Sequence, residues 1–132
     1  MTTPPIVLGL TLCEKVIVEE GSRNVTLVSG FQGLRVDNFP SPPQRFSAFA
    51  VLTDGEGDVT MDMVVYRLDT FEEVYSQSAV VHFPDRLTEV RVLFRFRQLI
   101  FPVAGRYQFS LLVRDSDISQ RELRVYLSGG DS

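Results

Sequence analysis

The sequence predicts an all-β protein, an antiparallel β-sandwich of about eight strands. Two observations carry this. Apolar and polar residues alternate with period two through most of the chain, and turn-forming residues interrupt the alternation at regular spacing. A third observation is negative: no stretch holds apolar residues at i, i+3, i+4 and i+7 for long enough to make a helix.

Taken in order, the first strand is expected over Ile6–Cys13, continuing with a bend through Val16 to Val18, and Glu19-Glu20-Gly21-Ser22 turns the chain. The second is expected over Asn24–Val36, with Gly30 and Gly33 marking a bulge or a break. Pro40, Pro42 and Pro43 lack amide donors and make the next segment a loop. The third strand is Phe46–Thr53, closed by Asp54-Gly55-Glu56-Gly57-Asp58, and the fourth is Val59–Leu68. Glu73–Phe83 is the fifth, ended by Pro84. In the sixth, Glu89–Leu99, Val90, Val92, Phe94 and Phe96 alternate with Arg91, Leu93, Arg95 and Arg97, which sends one set to a core and the other to water. Arg106–Val113 and Ile118–Leu127 complete the set, with Tyr107, Phe109, Leu111, Val113, Leu123, Val125 and Leu127 inward. So many strands cannot bury their apolar faces in one flat sheet. Two packed layers with immunoglobulin-like or Greek-key wiring are expected.

The chain has 132 residues, 44% hydrophobic and 23% charged, enough for one globular core. The domain is expected over residues 6–127, after a disordered N-terminus (residues 1–5) and before a flexible tail (residues 128–132). The net charge of −4 argues against nucleic acid and anionic membranes as partners. A single cysteine, Cys13, excludes an intrachain disulfide and a zinc-finger spacing. The apolar run from Ile6 to Leu12 is too short to span a bilayer, and Met1–Pro5 carries no Lys or Arg ahead of it, so a cytoplasmic location is expected.

Chemistry-bearing patterns are few. His82 is the one histidine, and no Gly-x-Ser-x-Gly elbow surrounds a serine, so no catalytic residue is assigned. No glycine-rich phosphate loop precedes a helix, so no cofactor is expected either. Asp54, Glu56 and Asp58 alternate like the opening of a calcium loop, but Val59 and Val65 stand where that motif needs Gly and Glu. If all successive strands run antiparallel, the turns holding Glu19-Glu20, Asp54-Glu56-Asp58, Asp85 and Asp115-Asp117 share one pole. Asp54, Glu56, Asp58, Asp115 and Asp117 are then candidate calcium ligands, although Asp also serves simply as a turn former. Arg91, Arg95 and Arg97 form a basic stripe. It either blocks edge pairing and bridges to Asp62 or Glu122, or docks an acidic protein.

Several segments also resemble a known family. Cys13-Glu14-Lys15, a strand reaching Gly30-Phe31 ahead of a Pro-rich loop, Phe101-Pro102-Val103-Ala104-Gly105-Arg106-Tyr107-Gln108-Phe109, and Leu123-Arg124-Val125 together resemble an uncharacterised family of short bacterial proteins, a domain of unknown function. The resemblance runs from about Ile6 to Tyr126 and implies a bacterial, cytoplasmic β-sandwich with no assigned activity, ligand or site residue. The expected role is a non-enzymatic protein-interaction or structural module whose partner is another protein or a second copy in a homo-oligomer. The alternative is a sandwich that binds calcium or another ligand through the carboxylates at one pole.

Overall fold

Alternating side chains form nine strands among the described residues, which in this computed structural model are 4–22, 24–30 and 33–128, Val28 and Ser29 by backbone alone. The expectations for residues 1–3, Phe31 and residues 129–132 lie outside them. The strands are β1 (Ile6–Val18), β2 (Val25–Gly30), β3 (Gly33–Val36), β4 (Gln44–Thr53), β5 (Gly57–Arg67), β6 (Glu72–Phe83), β7 (Val90–Leu99), β8 (Gly105–Val113) and β9 (Ser116–Leu127). One sheet is four-stranded in the order β2-β1-β4-β7, and the other is five-stranded in the order β3-β9-β8-β5-β6. Setting β1-β4-β7 against β9-β8-β5-β6 reproduces the A-B-E and G-F-C-C′ neighbours of an immunoglobulin-like sandwich.

Three expectations are corrected. The second strand is two strands. Its halves part at Gly30 and Gly33 and join different sheets, which raises the number of strands from about eight to nine. The pairing is not antiparallel throughout, because β3 runs parallel to β9, with Gly33 opposite Arg124 and Val36 opposite Leu127. Leu127 is not inward: at the last position of β9 it is 46% exposed, while Leu123 and Val125 are buried.

The core lies between the sheets. Leu10 and Leu12 of β1, Ala48, Ala50 and Leu52 of β4, and Phe94 and Phe96 of β7 face Met61, Met63 and Val65 of β5 and Tyr107, Phe109 and Leu111 of β8. Ala48, Ala50 and Leu52 of β4 recur every second residue and so share its inner face, while Ser47 and Phe49 on the other face are nearly covered as well. At one end of this core Phe96 sits among three rings, those of Phe46 at 5.2 Å, Phe109 at 5.6 Å and Tyr75 at 5.7 Å. Phe46 and Phe96 belong to one sheet and Tyr75 and Phe109 to the other, so the edge-on contact of Phe96 with Tyr75 and its tilted contact with Phe109 join the layers.

Tyr107 closes the turn ahead of β8. Its hydroxyl donates to the Val103 carbonyl at 2.6 Å and its ring meets Phe101 edge-on at 4.8 Å. A tyrosine at the start of the F-equivalent strand, bonded back to the turn before it, is the tyrosine corner of immunoglobulin-like sandwiches. Burial pushes the Tyr107 phenol above the ordinary tyrosine value, and burial does the same to Tyr75. A raised pKa in the folded state means that the folded chain holds these protons to higher pH than the unfolded chain does. Their contribution is present below the ordinary tyrosine value and is lost as pH rises through the folded one. Unfolding titrations from neutral to strongly alkaline pH should therefore show stability falling above pH ~10. The Tyr107→Phe variant, with no phenol to ionise there, should lose less over the same range, and an equal loss would refute the assignment.

Candidate functional site

The sheet register places the arginines of β7 on the outer face of the four-stranded sheet. Val51 lies opposite Arg91, Phe49 opposite Leu93 and Ser47 opposite Arg95. Val92, Phe94 and Phe96 are buried, whereas Arg91, Arg95 and Arg97 are exposed, which is the alternation read from the sequence. The same rows continue onto β1, where Thr11 lies beside Phe49 and Cys13 beside Ser47. The middle of this outer face is thus partly apolar, with arginines along its β7 side.

Around Arg95 the structure gathers cations that the sequence did not group. A depression of about 240 Å³ is lined by Glu14, Lys15, Arg45, Ser47 and Arg95. A second, of about 360 Å³, shares Glu14, Arg45 and Phe46 with it and adds Leu34 and Arg35. Four cations from four strands therefore border adjoining hollows with one carboxylate, Glu14, between them. The irregular register between Gln44 and Phe46 of β4 sits at their junction. Arg35 is held from behind: its Nε donates to the Tyr126 hydroxyl at 3.3 Å, and its guanidinium stands 5.6 Å from the centre of the Tyr126 ring, with Arg124 6.0 Å from the same centre. Lys15, Arg35 and Arg45 are separate in the sequence, and the pairing of β4 with both β1 and β7, together with the arrival of β3, gathers them around Arg95. The anticipated bridges from the arginines to Asp62 and Glu122 do not form. Both acids lie on the other sheet, where Asp62 accepts from Ser78 and Glu122 pairs with Arg106 at 3.4 Å.

The carboxylates divide differently from expectation. The β4–β5 turn, the β6–β7 connection and the β8–β9 turn do lie at one pole, so Asp54, Glu56, Asp58, Asp85, Asp115 and Asp117 gather there. The Glu19-Glu20 turn lies at the other pole, because the chain reverses between β2 and β3 and shifts the alternation of turns. Within the acidic pole most side chains have local partners. Glu56 pairs with Arg86 at 3.3 Å, Asp58 with His82 Nδ1 at 2.7 Å, and Asp117 accepts from Gln120 Nε2 at 2.7 Å. Asp85 accepts from the Leu87 and Thr88 amides and the Thr88 hydroxyl, and these bonds hold its carboxyl below the ordinary range. Asp54 and Asp115 occupy left-handed backbone at φ 60° and 64°, a turn conformation that Asp tolerates. Asp58, Asp62 and Asp115 line a depression of about 330 Å³ beside Arg114. Among the described residues no three His, Cys, Asp or Glu side chains are placed to hold a metal ion.

His82 and Asp58 form an open pair on the outer face of the five-stranded sheet, with side chains 69% and 71% exposed. Cys13 cannot complete it, since it is buried in β1 of the other sheet, and burial raises the thiol pKa, the opposite of what activates a nucleophile.

The comparison with known families agrees with the fold and the turn patterns: residues 8–126 match a family of unknown function, DUF6941. The chain belongs to that family. No curated protein matches this DUF6941 member. Among solved structures it is similar to an immunoglobulin-like protein from Pseudomonas aeruginosa, with 12% identity, a TM-score of 0.48, and coverage of 94% of this chain and 98% of that one. It is also similar to part of the Pseudomonas fluorescens alkylpurine DNA glycosylase AlkC bound to DNA containing an abasic-site analogue. There the identity is 11%, the TM-score 0.42, and the coverage 71% of this DUF6941 chain and 27% of the glycosylase. No helix among the described residues of the DUF6941 domain is long and apolar enough to cross a membrane.

Proposed function

We propose that this DUF6941 domain is a non-enzymatic docking module that receives an acidic segment of another protein on the outer face of β1, β4 and β7. The observation that carries the reading is the convergence of Lys15, Arg35, Arg45 and Arg95 around two joined depressions with a single carboxylate among them. Guanidinium groups present paired donors that match carboxylates, and their charge is unaffected by pH in the working range. The overall charge of −4 disfavours a long polyanion such as DNA, whose binding draws on a field of one sign, and leaves a short acidic segment as the better fit.

The test is fluorescence anisotropy with a labelled glutamate-rich peptide. Binding is expected to weaken as salt rises. In Arg45→Glu/Arg95→Glu it should weaken at least about tenfold, or ~1.4 kcal/mol, while the melting temperature is unchanged. Equal affinity of parent and variant, or no binding by the parent, would overturn the reading.

A further inference from the structure

In the parallel ladder of β3 and β9, Gly33 stands opposite Arg124 and Arg35 opposite Tyr126. Val36, Leu123 and Val125 are buried, so these four positions share the outward face of the ladder. The Tyr126 ring lies over β3: a Cβ on Gly33 would stand 3.3 Å from its Cε1 and 3.7 Å from its hydroxyl oxygen. Arg35 and Arg124 both approach that one ring, at 5.6 and 6.0 Å from its centre. Both are exposed, and among the described residues no carboxylate pairs with either. Glu122 lies two residues before Arg124 on the same strand, but it is engaged by Arg106, the cross-strand neighbour of Arg124 on β8.

We infer that Tyr126 is a positioning residue of the docking site: it fixes Arg35 to take one carboxylate of the acidic segment, with Arg124 as a second cation beside it. This rests on the docking role proposed above and adds to it Arg124, which borders neither hollow. The chemistry follows from the donors that remain. A guanidinium meets a carboxylate either side-on, through Nε and one Nη, or end-on, through both Nη groups. The Nε of Arg35 already donates to the Tyr126 hydroxyl at 3.3 Å, so the end-on pair is left for the ligand. Holding the side chain in advance also lowers the ordering cost of binding. Two cations drawn to one ring repel each other, and an arriving carboxylate relieves that repulsion. Arg35 lines the larger hollow, which places this carboxylate in continuity with the cations around Arg45.

The labelled glutamate-rich peptide again serves as the probe, with the full chain. Tyr126→Phe keeps the ring and removes the hydroxyl, and it should weaken binding about fivefold. Arg124→Gln should weaken it about threefold. In an Arg35→Gln background Tyr126→Phe should have no further effect, which a merely structural role of the hydroxyl would not produce. A second readout needs no peptide: the Arg35 Nε–H, followed by nuclear magnetic resonance, should exchange with solvent faster in Tyr126→Phe than in the parent. Parent-like affinity of Tyr126→Phe or of Arg124→Gln, an equal loss in the Arg35→Gln background, or unchanged Nε–H exchange would each overturn the inference while the docking role stands. A parent that binds no peptide overturns the docking role, and this inference with it.

Discussion

Phe96→Ala should destabilise the domain by about 3–5 kcal/mol, the range for removing a buried aromatic ring from a packed core. The value belongs at the upper end for a geometric reason. Phe96 is 1% exposed, and its ring is held by Phe46, Phe109 and Tyr75 at centre distances of 5.2, 5.6 and 5.7 Å. Three large rings cannot relax together into the space of the fourth, because two of them are fixed to the opposite sheet. Collapse would require the layers to move relative to each other. Domains of this kind have total stabilities of about 5–15 kcal/mol, so the variant should be close to unfolding at room temperature. Urea titration should show a much lower midpoint with the same slope, since the surface exposed on unfolding is unchanged. A loss below about 1 kcal/mol would mean that the ring cluster is not a packed unit.

Gly55→Ala should cost about 3 kcal/mol, near the top of the overpacking range, although the substitution adds one methyl group. A Cβ built on Gly55 would stand 2.5 Å from the ring of Phe83, well inside contact distance. Phe83 is itself 1% exposed at the end of β6, so its ring has little room to withdraw. The cost is steric, in contrast to Gly57, whose φ of 66° would strain any side chain. That difference gives a check. Phe83→Leu reduces the obstructing ring, so Gly55→Ala/Phe83→Leu should be more stable than the sum of the single effects predicts. Thermal unfolding of the four proteins in the cycle measures this coupling, and strict additivity would contradict the contact.

Both positions show what a one-dimensional reading reaches. Phe96 was legible as inward because β7 alternates Phe with Arg, and period two decides the face by itself. Its three ring partners were not, since two come from strands on the other sheet. Gly55 was legible as a turn residue, but the ring above it comes from Phe83, the last residue of a different strand. The same limit explains the larger corrections. Gly30 and Gly33 announced an interruption, yet nothing local says that the chain beyond them leaves its sheet, because sheet membership is decided by packing partners. Once β3 departs, the order of turns shifts, and the Glu19-Glu20 turn moves to the pole away from Asp54, Glu56 and Asp58. The basic site was half legible. Arg95 was found through its periodicity on β7, whereas Lys15, Arg35 and Arg45 lie alone among ordinary neighbours and reach it through three separate strands.

The parallel pairing of β3 with β9 has a consequence for how the polypeptide is made. β3 has no sheet neighbour other than β9 among the described residues, and Arg35 meets Tyr126 across 91 positions of sequence. At synthesis rates of about 5–20 residues per second, that separation is on the order of 5–20 s. During this interval the early β-forming segment has left the ribosome without its mate. Native topology is therefore completed only after translation of the last strand.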